Sequence, residues 1–515
     1  MVSLGSLRQR PPLRLGAIAL LIFVLAFGAL GGVATALMGP LATIVFAGLV
    51  LGSAGLLVPL PWLVVALVAL SFLITGQLIY FARLEKALWF PFLLGALLLL
   101  RFPLDSALRR RGTAATAVQR SGNALLTGFM SIYFGALVAS TLINASPPLQ
   151  VFVSAKEYVF LWSLYALIAA GLIKPALVAR LWAVLPWLML LQLPLVVYQR
   201  FVIMPRRVGP SEFDAVVGAF GGDPSGGGLS SVMGFFSIIG IITVIARWRA
   251  GLAPGWQALV LGASGAIGIA LAEIKFMVIL LPIAFCLLFI RELGRRPLQS
   301  IVMIVVGLSL SSGILFAYKL QYGPKFRGGT SVAEYVEEKF RQNTEGDQID
   351  MHNGEIGRIT AILLWYKKHD IRDPMPMLLG HGAGSSRAGS LVVGVVQQNY
   401  AFSLTRSAVS VLLWEVGVIG TLAFVGILIS ACLMLFRQGA DTSRSAETRA
   451  TSASMAVAVA ILVASLVYDK SLVSVHQILI MLMLCLGYAT VMNGRLASDA
   501  VMQKPLRAPA LRPQG

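Results

Sequence analysis

The stretch QILIMLMLCLGYATVM, Gln477–Met492, runs for sixteen residues without one charged side chain. A second stretch, LGAIALLIFVLAFGALGGVATAL, Leu15–Leu37, is longer still and equally free of charge. A helix needs about 20 apolar residues to cross the hydrocarbon core of a bilayer, and such segments recur along the chain. Only 12% of the 515 residues are charged, against about 25% in a soluble domain. The sequence therefore predicts an all-α, polytopic integral membrane protein.

Apolar runs of this kind predict about fourteen transmembrane helices. Their centres fall near residues 26, 49, 70, 93, 132, 166, 188, 239, 264, 283, 309, 421, 459 and 482. The first run is longer than the apolar core of a signal peptide, about 7–15 residues, and more spans follow it, so we expect no cleavable signal peptide. The three cysteines, Cys286, Cys432 and Cys485, lie in apolar runs and are expected to be packing residues rather than disulfides or metal ligands.

The distribution of basic residues predicts the orientation of these helices. With the N-terminus in the cytoplasm, nearly every short basic loop falls on the cytoplasmic side, as the positive-inside rule requires. The predicted segments are a cytoplasmic N-terminus (1–14), helices one to eleven (15–318) with a periplasmic loop at 200–230, a large periplasmic loop (319–407), helices twelve to fourteen (408–493) and a basic cytoplasmic tail (494–515). This orientation explains the net charge of +19 without a nucleic-acid partner.

The large loop is predicted to be partly helical. SVAEYVEEKF begins with Ser331 and Glu334 in capping-box spacing. GEIGRITAILLWYKKHD places Ile356, Ile359, Leu363 and Tyr366 three or four residues apart, which predicts an amphipathic helix on the membrane surface or over a cavity.

Near the end of this loop, MLLGHGAGSSRAG (Met377–Gly389) combines four glycines with His381 and an arginine. A Walker-type phosphate loop needs lysine after its last glycine, but Ser390 stands there. The dinucleotide fingerprint needs a preceding buried strand, and a proline-rich turn precedes this stretch. We expect instead that the glycines take positive φ or let the backbone approach a bulky group. No histidine pair has metal-ligand spacing, so no metal site and no cofactor are predicted.

Charged residues next to apolar runs are the candidates for function. The loop after Val197 contains Arg200, Arg207 and Asp214. It is either a flexible outer loop with snorkelling arginines or the binding site of a polyanion, because guanidinium pairs with phosphate through two hydrogen bonds.

Two more candidates lie in or beside predicted helices. Glu273 and Lys275 interrupt two apolar runs and mark either a site or a turn that reaches the surface. Glu415 follows Arg406 by nine residues, about 13 Å deeper along a helix. A carboxylate at that depth needs a partner, either an arginine of a neighbouring helix or a water-filled cavity.

Three stretches resemble the superfamily of O-antigen polymerases and O-antigen ligases. They are GRITAILLWYKKHDIRDPMPMLLGHGAGSS, which is like the family's arginine, tryptophan and P-x-x-G-x-G-x-G run; LLWEVGVIG, like its L-x-E-x-G-x-x-G helix; and VVGAFGGDPSGG, like its G-x-F, P-N loop. The resemblance covers roughly residues 197–425. Arg207 with Gly218, and Arg406 with Gly417, also have the arginine and glycine separated by ten residues that has been described for polymerases.

Departures from the family pattern bear on which member this chain is similar to. Ligases carry a histidine nine residues before the helix glutamate, and this chain has Arg406 there. Asp214 and Ser225 also stand where many members have arginine and asparagine. The resemblance therefore implies a polymerase of O-antigen or exopolysaccharide repeats rather than a ligase.

The resemblance further implies a substrate, a location and partners. The substrate would be an oligosaccharide on undecaprenyl pyrophosphate, used at the periplasmic face of the bacterial inner membrane, with a flippase and a chain-length regulator in the same pathway. The alternatives are a ligase, a transporter or flippase for a lipid-linked saccharide, another lipid-dependent glycosyltransferase, and a structural membrane subunit.

In such an enzyme, a hydroxyl of the acceptor attacks the anomeric carbon of the donor while pyrophosphate leaves. Fixed cations would stabilise the leaving group without a metal. Arg358 and Arg406 are expected to do so, with Arg207 and Lys275 behind them, and Arg200 and His381 as further substrate contacts. The base would be a carboxylate facing the same cavity, namely Asp214, Glu273 or Glu415.

Overall fold

A computed structural model of the chain describes most of the apolar part of the sequence. The described residues are 52–110, 123–206, 216–222, 229–272, 274–290, 294, 296–322, 349–350, 355–370, 372–389 and 391–502. Internal contacts divide the chain into two units, Met1–Leu63 and Val64–Gly515. In the first unit the described residues form a helix over 52–57 and the beginning of the next helix at Leu60; everything below concerns the second unit.

Eleven helices of the described residues are long and apolar enough to cross a membrane. They are α1 (Leu60–Tyr80), α2 (Trp89–Arg110), α3 (Ala124–Ile143), α4 (Pro148–Ala169), α5 (Pro175–Ile203), α6 (Ser230–Arg249), α7 (Gly255–Ala272), α9 (Pro297–Tyr322), α12 (Ala408–Ala440), α13 (Ala446–Ser465) and α15 (His476–Met502). A shorter apolar helix, α8, covers Lys275–Phe289. Small helices are α10 (Arg358–Lys368), α11 (Pro374–Leu379) and α14 (Ser471–Ser474), and β1 (Ile349–Asp350) pairs antiparallel with β2 (Glu355–Ile356).

These helices confirm the all-α, multi-pass membrane architecture. Each predicted span from residue 70 onward coincides with a helix, and α8 is the shortest of them. The spans predicted near residues 26 and 49 lie wholly or mostly outside the described residues. The total of about fourteen therefore stays a prediction.

Burial separates central helices from peripheral ones. In α6 and α15, 89% of the most apolar window is buried, whereas only 22% is buried in α9. The large exposed side chains of α9 are nevertheless apolar, namely leucine, isoleucine, valine and Phe316. An apolar surface on a peripheral helix matches lipid rather than water, which is why hydropathy alone located these helices.

Three membrane helices contain a π-helical turn, at Leu70–Ile74 in α1, Lys156–Phe160 in α4 and Gln199–Ile203 in α5. Such turns insert an extra residue and re-aim the side chains that they carry, often at functional sites. The turn in α4 carries Lys156 and Glu157.

The predicted amphipathic helix of the large loop exists as α10, and it has a second apolar face besides the predicted one. Ala361 and Trp365 are buried in a cluster with Trp414 of α12, whereas Leu363 and Tyr366 are exposed. The helix has two apolar faces. The face that carries the small Ala361 and the large Trp365 packs against α12. The other predicted helix of this loop, at SVAEYVEEKF, lies outside the described residues.

Part of the predicted loop at 200–230 folds into the bundle. Val216, Val217 and Phe220 are buried, and the Gln199 side chain accepts hydrogen bonds from the backbone N–H groups of Val217 and Gly218 at 2.9 and 2.8 Å. This part of the segment is therefore not a flexible outer loop. The buried apolar side chains and the paired backbone hold it in place.

Candidate functional site

The long helix α12 is broken at Gly417, whose φ of 65° and ψ of −167° are non-helical. Only glycine adopts this conformation without strain. The break frees carbonyl groups that an unbroken helix would use internally. The carbonyls of Trp414 and Glu415 accept hydrogen bonds from the backbone N–H groups of His381 and Gly382, at 2.8 and 3.1 Å. The glycine-rich stretch is thus docked into a gap in a membrane helix.

We name residues Gly380–Arg387 the glycine loop. Gly380, Gly382 and Gly384 all have positive φ, as the sequence predicted. A Cβ on Gly380 would lie 2.6 Å from the Gly417 nitrogen. A Cβ on Gly382 or Gly384 would overlap the hydroxyl of Ser146 or Ser154.

Protein atoms therefore fill the space beside these three glycines. The expectation that they make room for a bulky substrate is corrected, because they allow the loop to pack against α12 and the α3–α4 region.

Glu415 lies beside this junction and is completely buried. Its carboxylate accepts hydrogen bonds from the Tyr158 hydroxyl at 2.6 Å, from the Gly384 N–H at 2.7 Å and from the Ser386 hydroxyl at 2.7 Å. The Nε atom of Arg387 is 3.8 Å from the same carboxylate. The sequence predicted a partner for Glu415, but the arginine comes from the glycine loop and not from a neighbouring helix.

Arg387 joins the glycine loop to α4. Its two terminal nitrogens donate parallel hydrogen bonds to the two carboxylate oxygens of Glu157, whose side chain is only 7% exposed. Burial lowers the pKa of Arg387, but Glu157 and Glu415 together raise it above the ordinary value. Lys156 completes the group, with Nζ 3.8 Å from Glu157 and 4.8 Å from the centre of the Trp89 ring.

Sequence reasoning missed Arg387, Glu157 and Lys156. The sequence did contain a signal for Glu157 and Lys156, because they form a charged pair inside an otherwise apolar run. Ionisable residues within a membrane segment are energetically costly and usually mark a site.

A second group of charges surrounds the Tyr468 turn, Tyr468–Ser471, which joins α13 to α14. Arg358, at the start of α10, donates from Nε to the Tyr468 carbonyl at 2.6 Å, and its guanidinium lies 4.3 Å from the centre of the Tyr468 ring. Phe276 stacks on the same ring at 4.0 Å with an interplanar angle of 11°. Phe276 follows Lys275, so the predicted cation Arg358 and the residue next to the predicted cation Lys275 meet at one tyrosine.

Lys470 lies within this turn, and Arg406 lies beside it. The backbone N–H of Ala408, two residues after Arg406, donates to the Asp469 carbonyl at 3.0 Å. The protein packed around its ammonium group lowers the pKa of Lys470; Asp469 and Glu157 partly oppose this shift, and Arg406 and Arg387 add to it. Part of the Lys470 side chain nevertheless reaches solvent.

The charges of these two groups are balanced differently. Near Glu415, two cations (Lys156 and Arg387) face two carboxylates (Glu157 and Glu415), so the net charge is zero. At the Tyr468 turn, the described residues include three cations (Arg358, Arg406 and Lys470) and one carboxylate. The carboxylate, Asp469, is held by the hydroxyls of Ser231 and Ser471. Among the described side chains, cations therefore outnumber carboxylates at the turn.

Several predicted site residues lie elsewhere or outside the described part. Arg207, Asp214 and Glu273 are not among the described residues, nor is the side chain of Lys275. Arg200 lies at the end of α5, with Nη1 2.6 Å from the sulfur of Met204.

His381 pairs with His369, with 3.0 Å between their Nε2 atoms. The His369 Nδ1 lies 2.6 Å from the Trp365 carbonyl and donates to it, so His369 Nε2 accepts from His381. Burial first, and then His369, lower the pKa of His381 to about 4, which makes it a weak base at neutral pH. Among the described residues, no three His, Cys, Asp or Glu side chains are placed to hold a metal ion.

Comparison with known proteins adds no family to this picture. Neither the models of known protein families nor the curated proteins contain a match to the chain.

Proposed function

We propose that this protein polymerises oligosaccharide repeat units by glycosyl transfer from undecaprenyl pyrophosphate, at the periplasmic face of the bacterial inner membrane. The observation that carries the proposal is the meeting of three cationic residues, Arg358, Arg406 and Lys470, at the Tyr468 turn, directly beside the segments that resemble the polymerase and ligase superfamily. A lipid-linked pyrophosphate is a polyanion that reaches a protein from the membrane, and guanidinium groups bind it with paired hydrogen bonds.

The proposed reaction transfers the donor glycan to a hydroxyl of the acceptor. The hydroxyl oxygen bonds to the anomeric carbon, the bond from that carbon to the pyrophosphate oxygen breaks, and the hydroxyl proton passes to a base. Negative charge grows on the pyrophosphate as the bond breaks. Arg358, Arg406 and Lys470 would stabilise this charge more in the transition state than in the ground state, which is what lowers a barrier.

In this proposal, Glu415 is a positioning residue rather than the base. It is completely buried and already accepts three hydrogen bonds, which leaves no path for a substrate hydroxyl to reach it. Its carboxylate fixes Gly384 and Ser386 and so orders the glycine loop. Asp214 and Glu273 remain the proposed candidates for the base.

A transporter is the main alternative, because broken helices are typical of transporters. In those proteins the unwound carbonyls bind ions or substrates. Here the carbonyls of Trp414 and Glu415 are occupied by backbone N–H groups of the glycine loop. The break therefore serves internal packing and gives no specific support to transport.

The test is an assay of purified protein with a synthetic undecaprenyl-pyrophosphate-linked repeat unit, with products separated by length. We expect longer lipid-linked glycans from the native protein. Arg406→Ala should lower the rate about 100-fold or more, as does the loss of one group that stabilises transition-state charge. Arg437→Ala, an exposed residue near the other end of α12, is the matched control and should keep the native rate.

Each other outcome identifies a different function. Transfer of the glycan to a different acceptor would indicate a ligase. Movement of the unchanged lipid across vesicle membranes would indicate a flippase. Full activity of correctly folded Arg406→Ala and Lys470→Ala variants would refute the assignment of the anion site.

A further inference from the structure

A large cavity lies at the end of the helix bundle opposite to the Tyr468 turn. Its volume is about 1110 Å³, and its walls come from the C-terminal ends of α6, α8 and α12 and the N-terminal ends of α9 and α13. Because α12 begins beside the Tyr468 turn and ends at this cavity, the two sites are separated by the length of a membrane helix. We name it the arginine cavity.

Three arginines line the cavity, and none of its described lining residues is Asp or Glu. Arg249 packs its guanidinium 4.4 Å from the centre of the Phe289 ring and donates to the Leu288 carbonyl at 3.4 Å. The Nε atom of Arg449 is buried and has no hydrogen-bond partner. Within the described part of the chain, neither Arg296 nor Arg449 has a carboxylate within ion-pair distance. A buried arginine nitrogen without a partner is costly, so a ligand that accepts hydrogen bonds fits here.

An apolar groove continues from this cavity. It has a volume of about 630 Å³ and runs between α7 and α9, from Ile301 to Ile314 on α9. Val302 lines both the groove and the arginine cavity, so the two spaces adjoin. The thirteen helical steps from Ile301 to Ile314 extend about 20 Å, more than half of the about 30 Å hydrocarbon core. The groove lies on α9, the least buried of the eleven candidate membrane helices in the described part of the chain.

We propose that the arginine cavity and the apolar groove together bind one phospholipid with an anionic headgroup. The guanidinium groups pair with the phosphate, and an acyl chain occupies the groove along α9. Basic pockets between membrane helices are known to accept such headgroups. A free phosphate would satisfy the arginines but leave the groove unused, and a neutral lipid would fill the groove but bring no net negative charge to Arg296 and Arg449.

The test is a thermal-stability titration of the full-length protein in detergent, since a ligand that binds only the folded state raises Tm with concentration. The probes are phosphatidylglycerol, phosphatidylcholine and inorganic phosphate. We expect phosphatidylglycerol to raise Tm at the lowest concentration. The Arg296→Gln/Arg449→Gln variant should weaken its apparent affinity about tenfold or more, the effect of losing one or more charge-assisted hydrogen bonds.

Two further variants distinguish the contribution of the acyl chain to binding from that of the headgroup. Gly313→Leu fills the groove, because a Cβ at Gly313 would meet no atom within 4 Å; it should weaken phosphatidylglycerol binding without affecting phosphate. Arg437 lies near the same end of α12 but does not line the cavity. Arg437→Gln should therefore change neither phosphatidylglycerol binding nor phosphate binding.

The proposal is overturned if phosphatidylcholine or inorganic phosphate raises Tm as effectively as phosphatidylglycerol. It is also overturned if the lining variants bind phosphatidylglycerol like the native protein. Because Gly313→Leu leaves all arginines in place, the groove is tested even where the double variant does not fold.

Discussion

At the scale of single residues, the structure resolves a problem that the sequence posed for Glu415. A carboxylate deep in an apolar helix needs a compensating group, and the nine-residue offset from Arg406 suggested where to look. The group is Arg387, which Glu157 holds from a helix 230 residues earlier in the chain. No pattern in one sequence reveals a pairing over that distance, although the need for it follows from the cost of an unpaired buried charge.

Removal of Arg387 should therefore destabilise the protein more than removal of Glu157. Arg387→Gln leaves two buried carboxylates with only Lys156 nearby, whereas Glu157→Gln leaves Arg387 close to Glu415. Breaking a buried ion pair from one side costs about 3–5 kcal/mol. Melting temperatures in detergent should fall in the order native, Glu157→Gln, Arg387→Gln, and the double variant should lose less than the sum of the two. Equal Tm values for native protein and Arg387→Gln would contradict this.

The His369–His381 pair predicts a loss of stability in mild acid. The pKa of His381 is lowered to about 4 in the folded protein, from 6.5 in an unfolded chain. Between these values the unfolded state binds the additional proton, so the stability from neutral His381 is present above pH 6.5 and is lost as pH falls toward 4. Besides burial, His369 disfavours protonation of His381, and Asp373 partly opposes this effect.

Tm measured from pH 7 to 4 gives the check. His381→Gln should show a shallower decline than the native protein over this window, because its side chain does not titrate. Parallel curves for the two proteins would mean that other groups cause the acid sensitivity.

At the scale of elements, apolar run length located the helices well but said nothing about the break in α12 or about which face of α10 is buried. Both depend on contacts with distant parts of the chain. Gly417 shows only as one glycine among 51, and its role requires Gly380 to lie against it. In α10, two apolar stripes were available, and the choice between them was made by Trp414.

Gly417→Ala should disrupt the docking of the glycine loop. A Cβ at this position would lie 2.4 Å from the Leu378 carbonyl carbon and oxygen. The backbone conformation alone costs about 1–3 kcal/mol for a residue other than glycine. We expect a lower Tm and faster proteolysis within the loop, residues 380–387. Gly135→Ala in α3 is the control, since a Cβ there meets no atom within 4 Å, and it should leave both measurements unchanged. Native-like proteolysis of Gly417→Ala would show that the loop docks without the break.

At the scale of the whole molecule, α12 fixes the relation between the two charged ends. Arg406 precedes this helix and Arg437 lies near its end, so the two residues stand at opposite ends of a membrane-spanning element. The positive-inside rule predicts that the end with Arg437 is cytoplasmic, which places the Tyr468 turn in the periplasm. The proposed chemistry depends on this orientation, because the family that the chain resembles uses lipid-linked repeats at the periplasmic face.

Cysteine labelling measures the orientation directly. In a background with Cys286, Cys432 and Cys485 replaced by alanine, Lys367→Cys on α10 and Glu447→Cys on α13 are both exposed and lie on opposite sides of the bundle. A membrane-impermeant maleimide should label Lys367→Cys in cells with a permeable outer membrane, and Glu447→Cys only after the inner membrane is opened. The reverse pattern would put Arg358, Arg406 and Lys470 in the cytoplasm and the arginine cavity outside. That result would exclude periplasmic polymerisation while leaving the helix packing unchanged, because nothing in the fold itself distinguishes one side of the membrane from the other.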